Sequence, residues 1–170
     1  MIFALIIGSY MMGITLYFDY ILERWMELKA IVEIPKFSTI KYEFDKESKT
    51  LKVDRVLPIQ CPFNYGFIPS APFSADGDPL DIFILNFEPL TPLSEVTFRP
   101  LGVLLCNDNG VEDNKVLASI ENDNYVDYEY FKKIRFYLEN YKTGFKVLEY
   151  KVFNDNILFT NFIEGRKECI

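Results

Sequence analysis

The chain contains no histidine. That single absence removes Ser-His-Asp and Cys-His catalysis, the H-E-x-x-H metal motif and most zinc sites. A general base must then be a carboxylate or, failing that, Lys or Tyr. Cysteine is nearly as scarce. Cys61, Cys106 and Cys169 are odd in number, far apart and outside any C-x-x-C pattern. Neither a disulfide framework nor structural zinc fits them, whereas a reducing compartment does, and Cys106 and Cys169 read as buried, neutral thiols. An excess of positive charge is missing too: 18 Lys and Arg stand against 25 Asp and Glu, for a net −7. Nucleic acid is excluded as a partner, because a phosphate backbone calls for a basic face. An anionic ligand would need bridging cations or a local basic cluster. There is no internal repeat and no low-complexity linker to divide the chain.

What is present is a core-forming composition. Its 170 residues, 49% of them apolar and including 16 Phe and 11 Tyr, suit one domain with an aromatic-rich interior. The segment Ile2–Phe18 carries no charge and sits at the lower length limit for a spanning helix. Residues 1–28 therefore read as an apolar extension: a membrane anchor, a packed helix, or a stretch absent from the mature chain. As an anchor it would leave Arg24 and Lys29, and the domain with them, on the cytoplasmic side. From residue 29 to 170 the pattern is that of a globular domain. Tyr42 and Phe44 alternate with Lys41 and Glu43, and Leu51 and Val53 alternate with Lys52 and Asp54. This predicts a β-hairpin with Lys41 and Glu43 on one face. Val56–Phe73, with four prolines, reads as an irregular connection. Further strands are expected at Asp81–Phe87, Val96–Cys106, Lys115–Ile120 and Phe145–Phe153. Phe131, Ile134, Leu138 and Tyr141 recur at helical spacing within Val126–Lys142. The tail could form a second helix. The fold class expected is mainly β (α+β), a small barrel with one or two helices packed outside.

Chemistry concentrates in DGDPLD, residues 76–81. Gly77 and Pro79 make a tight turn, so Asp76, Asp78 and Asp81 can converge. Converging carboxylates repel unless hard cations lie between them. A solvated acidic turn is the alternative for this stretch on its own. A second acidic stretch, NDNGVEDNK at residues 107–115, adds Asp108, Glu112, Asp113 and Lys115. It lacks the D-x-D-x-D-G register of a calcium loop, so a metal-bridged phosphate site explains it better. Lys41, Arg55, Lys115 and Lys142 could supply the basic groups that such a site requires.

The blocks IVEIP, IKYEFDKES, VDR, NYGFIP, DGDPLD, RPLGVL, DNGVEDNK and YK, in that order from about Ile31 to Lys142, resemble the soluble family I inorganic pyrophosphatases. The resemblance implies a closed OB-like β-barrel and Mg²⁺-dependent hydrolysis of pyrophosphate to two phosphates by a metal-activated water. Asp76, Asp81 and Asp113 would bind the first Mg²⁺, with Asp81 bridging to a second. Asp108 and Asp113 would hold Mg²⁺ arriving with substrate, and Glu33 and Glu43 would bind metal through water. Asp78 would be the general base. Lys41, Arg55, Lys115, Tyr141 and Lys142 would grip phosphate oxygens, and Tyr65 would orient the site. Several Mg²⁺ per site are implied, with Mn²⁺ as a substitute. So are a cytoplasmic setting and a homo-oligomer, hexameric or smaller.

Two departures stand out. Cys61 lies four residues before Tyr65, where the family commonly has tyrosine, and Asn109 follows Asp108 where an acidic residue is usual. The segment between Lys115 and Tyr141 is also short, which leaves the assembly less defined than the chemistry. The rival expectation is a catalytically weak barrel that binds metal and phosphate, or a partner.

Overall fold

The computed structural model describes residues 28–45, 50–71, 78–86, 88–120, 126–153 and 156–167. The apolar segment Ile2–Phe18, Asp76 and Cys169 lie outside these residues. The strands are β1 (Lys29–Ile34), β2 (Ile40–Asp45), β3 (Thr50–Val56), β4 (Asn64–Phe67) and β5 (Asp81–Ile84), followed by β6 (Glu95–Thr97), β7 (Arg99–Asp108), β8 (Val111–Glu112), β9 (Lys115–Ser119) and β10 (Phe145–Val152). Helix α1 (Tyr128–Tyr141) precedes β10, and helix α2 (Asn156–Lys167) follows it.

The main sheet has the order β10-β7-β9-β5-β4-β1-β6, with β8 paired to β7, while β2 and β3 form a separate hairpin. The described residues are thus mostly β with two helices. Among the described residues the path has two ends, β10 and β6, with no ladder joining them. All neighbours run antiparallel except β5 and β9, which are parallel.

Both faces of the sheet centre are buried, which is why β5 and β9 read as continuous apolar runs rather than alternating ones. Phe83 and Leu117 point into one core with Tyr65, Leu104, Ile134 and Leu138. Their neighbours Ile82, Ile84, Val116 and Ala118 point into another with Val32, Ile68 and Phe159. Helix α1 covers the first core and α2 the second. Asp127 caps α1, its carboxylate accepting from the Glu129 amide at 2.8 Å.

The hairpin appears as expected, except that a register shift between Lys41 and Tyr42 interrupts the simple alternation. The expected long strand Val96–Cys106 is two strands parted at Phe98, whose side chain turns into the α2 core. Strand β5 stops at Ile84, short of the expected Phe87. The supposed irregular connection Val56–Phe73 holds a strand, β4, between its prolines. Gly66 makes that strand fit: a Cβ there would meet the Ile31 carbonyl oxygen at 1.8 Å. Among the described residues, no helix is long and apolar enough to cross a membrane.

Candidate active site

Register assembles the centre of the site. Asp81 opens β5 and Lys115 opens β9, and the two are paired Cα partners in the parallel ladder. Strand periodicity places both on the same face as Phe83 and Leu117, the face covered by α1. On the other side of β5, Phe67 of β4 lies opposite Asp81, and Tyr65 lies opposite Phe83. Tyr65 and Asp81 are therefore diagonal neighbours on one face. The Tyr65 ring packs edge-on against Phe83 at 4.9 Å.

Lys115 is 1% exposed, and its ammonium donates to both Asp81 Oδ2 and Asp113 Oδ1. Burial alone would lower its pKa, but the two carboxylates outweigh burial and raise it. An unpaired ammonium could not remain charged there. Asp113 is buried as well, and its amide donates to the Cys106 carbonyl at 3.0 Å. The buried Asn114 side chain finishes that join, its Oδ1 accepting from the Cys106 amide at 2.9 Å and its Nδ2 donating to Glu112 at 2.9 Å. The break between β8 and β9 is thus locked by a side-chain amide, with Asp113 and Lys115 on either side of it.

Other predicted residues surround this centre. Glu33 lies at the register shift between Val32 and Ile34, and Lys41 Nζ is 3.3 Å from its carboxylate. Burial raises the Glu33 pKa above 4.5, with Lys41 opposing the shift and Asp81 adding to it. Arg55, paired with Lys41 across the hairpin, donates through Nε to Asp54 at 2.8 Å. Burial raises the Tyr65 pKa first, and the Asp81 charge raises it further. Tyr141 is pushed up to about 12, first by burial, with Lys115 opposing and Asp113, Asp81 and Asp108 adding. Lys142, just past the end of α1, donates to Asp108 Oδ2.

The structure therefore brings together Glu33, Lys41, Tyr65, Asp81, Asp113, Lys115 and Tyr141, with Arg55 and the Asp108–Lys142 pair at the side. Asp78 is exposed, three residues ahead of Asp81. Glu43 is exposed across the hairpin from Lys52, and among the described residues it forms no ion pair with the set. Asp54, Asn114 and Tyr137 also border the site, and they were not among the residues expected from the sequence. Tyr137 stacks on Tyr141 at 5.1 Å and 6° and meets Phe83 edge-on at 6.2 Å. Burial raises the Tyr137 pKa, and Cys61 adds to the shift. The spacing of Tyr137 within α1, four residues before Tyr141, was the one available signal.

The donors fit a hard divalent cation. Oxygen is the ligand type on offer, because histidine is absent from the chain and burial pushes the Cys106 thiol up to about 12. Asp81 and Asp113 already converge on one cationic centre, the Lys115 ammonium. Among the described residues no three carboxylates close around a single point.

Residues 30–167 match the family profile described as "Inorganic pyrophosphatase". The chain belongs to the inorganic pyrophosphatase family. An inorganic pyrophosphatase of Xylella fastidiosa is 39% identical over 130 residues, covering 68% of this chain and 72% of that protein. The Sulfolobus acidocaldarius inorganic pyrophosphatase is 46% identical over 93 residues, 54% of this chain and 53% of that protein. The chain spans little more than half the length of that relative and of others like it. Among solved structures, an inorganic pyrophosphatase from Coxiella burnetii superposes with a TM-score of 0.70 at 32% identity, over 81% of this chain and 90% of that one. The pyrophosphatase fold thus accounts for the strand order that seats Asp81 beside Lys115.

Proposed function

We propose that this chain hydrolyses inorganic pyrophosphate to two phosphates with Mg²⁺, inside an OB-like barrel. The observation that carries the proposal is the Asp81–Lys115–Asp113 triad, centred on a buried lysine and ringed by Glu33, Lys41, Tyr65 and Tyr141, in a chain of the pyrophosphatase family. So many charges on one buried face cost free energy that packing does not recover, which suits a ligand that brings opposing charge. When bound, Mg²⁺ supplies neutralisation of the phosphoryl oxygens and activation of a water.

The chain's own groups have separate tasks. Asp81 and Asp113 hold the cation, joined by Asp76, while Asp108 and Glu33 extend the acidic wall. Asp78 accepts the proton of the attacking water, a task left to carboxylates by the lack of histidine. Lys41, Arg55, Lys115 and Lys142 bind and orient phosphate oxygens, and Tyr65 and Tyr141 fix them by hydrogen bonding. A colorimetric phosphate assay tests this directly. Expected is Mg²⁺-dependent release from pyrophosphate with little from ATP. Equal release from both would point to a general phosphatase, and none from either to a binding module.

A further inference from the structure

We infer that Asn109 is a positioning residue that sets the spacing between Asp108 and Lys142, an inference that rests on the pyrophosphatase function proposed above. Asn109 and Gly110 form the turn between β7 and β8, both with positive φ (51° and 98°). The Gly110 amide donates to Asn107 Oδ1 at 2.8 Å and closes the turn. Asparagine tolerates this left-handed backbone, and the turn aims its side chain across to the chain leaving α1. There Asn109 Nδ2 donates to Asp108 Oδ1 at 2.9 Å and to the Thr143 carbonyl at 3.3 Å. Lys142 donates to the other oxygen of Asp108. Both Asp108 oxygens are therefore held, one by the turn's own amide and one by the lysine from the far segment.

The opposing surface is shaped to this contact. Gly144 has φ of 87°, and a Cβ on it would meet Asn109 Oδ1 at 2.1 Å. The glycine thus lets the residue 142–145 segment close onto Asn109 where β10 begins, with Phe145 opposite Asp108. The donor is what matters. Aspartate at 109 would keep the size and the backbone conformation, yet it would aim oxygen at the oxygens of both Asp108 and Thr143. Counting charge alone, an added carboxylate beside Asp108 should strengthen binding of a magnesium–diphosphate complex. Positioning requires the reverse sign.

The test compares the parent with Asn109→Asp and Asn109→Gly, the latter keeping the backbone and removing the amide. Steady-state kinetics on pyrophosphate are paired with calorimetric binding of magnesium imidodiphosphate, a slowly cleaved analogue, and with Tm. Both variants should raise KM and the analogue's Kd by about fivefold to tenfold, the worth of a hydrogen bond to a charged group. The kcat of Asn109→Gly should stay within about twofold and its Tm should be unchanged, which a purely structural role would not give. An Asn109→Asp enzyme that binds the analogue as tightly as the parent or tighter overturns the inference. So does an Asn109→Gly enzyme indistinguishable from it in KM and Kd. A parent that neither cleaves pyrophosphate nor binds the analogue overturns the proposed function, and this inference with it.

Discussion

The two sides of the site treat charge in opposite ways. On the β5–β9 side, Lys115 and Asp113 are buried, and strand register sets Lys115 against Asp81. On the β2–β3 side, Arg55 is 65% exposed and answers to the adjacent Asp54, while Glu43 faces water. A buried ion pair that loses one member leaves an uncompensated charge in a poor solvent, whereas an exposed pair is replaced by water at little cost. The same chemical types should thus be structural and functional on the sheet but chiefly functional on the hairpin.

The largest effect that could break this contrast is at Asp81. Asp81→Asn should lower Mg²⁺-dependent phosphate release by at least about 10²-fold. Lys115→Met, which strands two carboxylates, should lose as much activity and about 3–5 kcal/mol of stability in urea unfolding. Near-parental unfolding of Lys115→Met would mean that burial does not govern the sheet side. Next comes the aromatic prop. Tyr137→Leu removes the ring stacked on Tyr141 and set edge-on to Phe83, so about 1 kcal/mol of stability should go, with a roughly threefold rise in KM for pyrophosphate.

Glu33, between the two sides, gives a pH signature. Its folded pKa lies above 4.5, so its contribution to stability is present below that value and is lost as pH rises through the raised one. At neutral pH the buried carboxylate is a cost. Glu33→Gln should then be at least as stable as the parent at pH 7, with the gap closing as pH falls towards 4.5. A gap that widens on acidification would contradict the assignment. Smallest in stability is Arg55→Gln, expected to change unfolding by no more than about 0.5 kcal/mol while raising KM for pyrophosphate.

Much of this was legible in the sequence where a local pattern carries the information. The hairpin showed in its alternation, α1 in its apolar stripe, and β7 and β9 in their apolar runs. Strand β4 did not, because its four residues, three of them buried, lie among prolines and its identity comes from partners on β1 and β5. The gap at Phe98 depends on α2, which arrives some 60 residues later. The acidic and basic set was readable from its order along the chain, since Asp81, Asp113 and Lys115 lie in motifs. Tyr137 and Asn114 were not, because their roles are contacts made across the fold. Glu43 shows the limit from the other direction, since sharing a strand face with Lys41 did not bring it into the cluster.

The most direct measurement is anomalous diffraction from crystals of the protein soaked in Mn²⁺. A peak ligated by both Asp81 and Asp113 is the predicted result. Manganese bound elsewhere, with those two carboxylates still held by Lys115 alone, would contradict the claim that this triad is the metal end of the site.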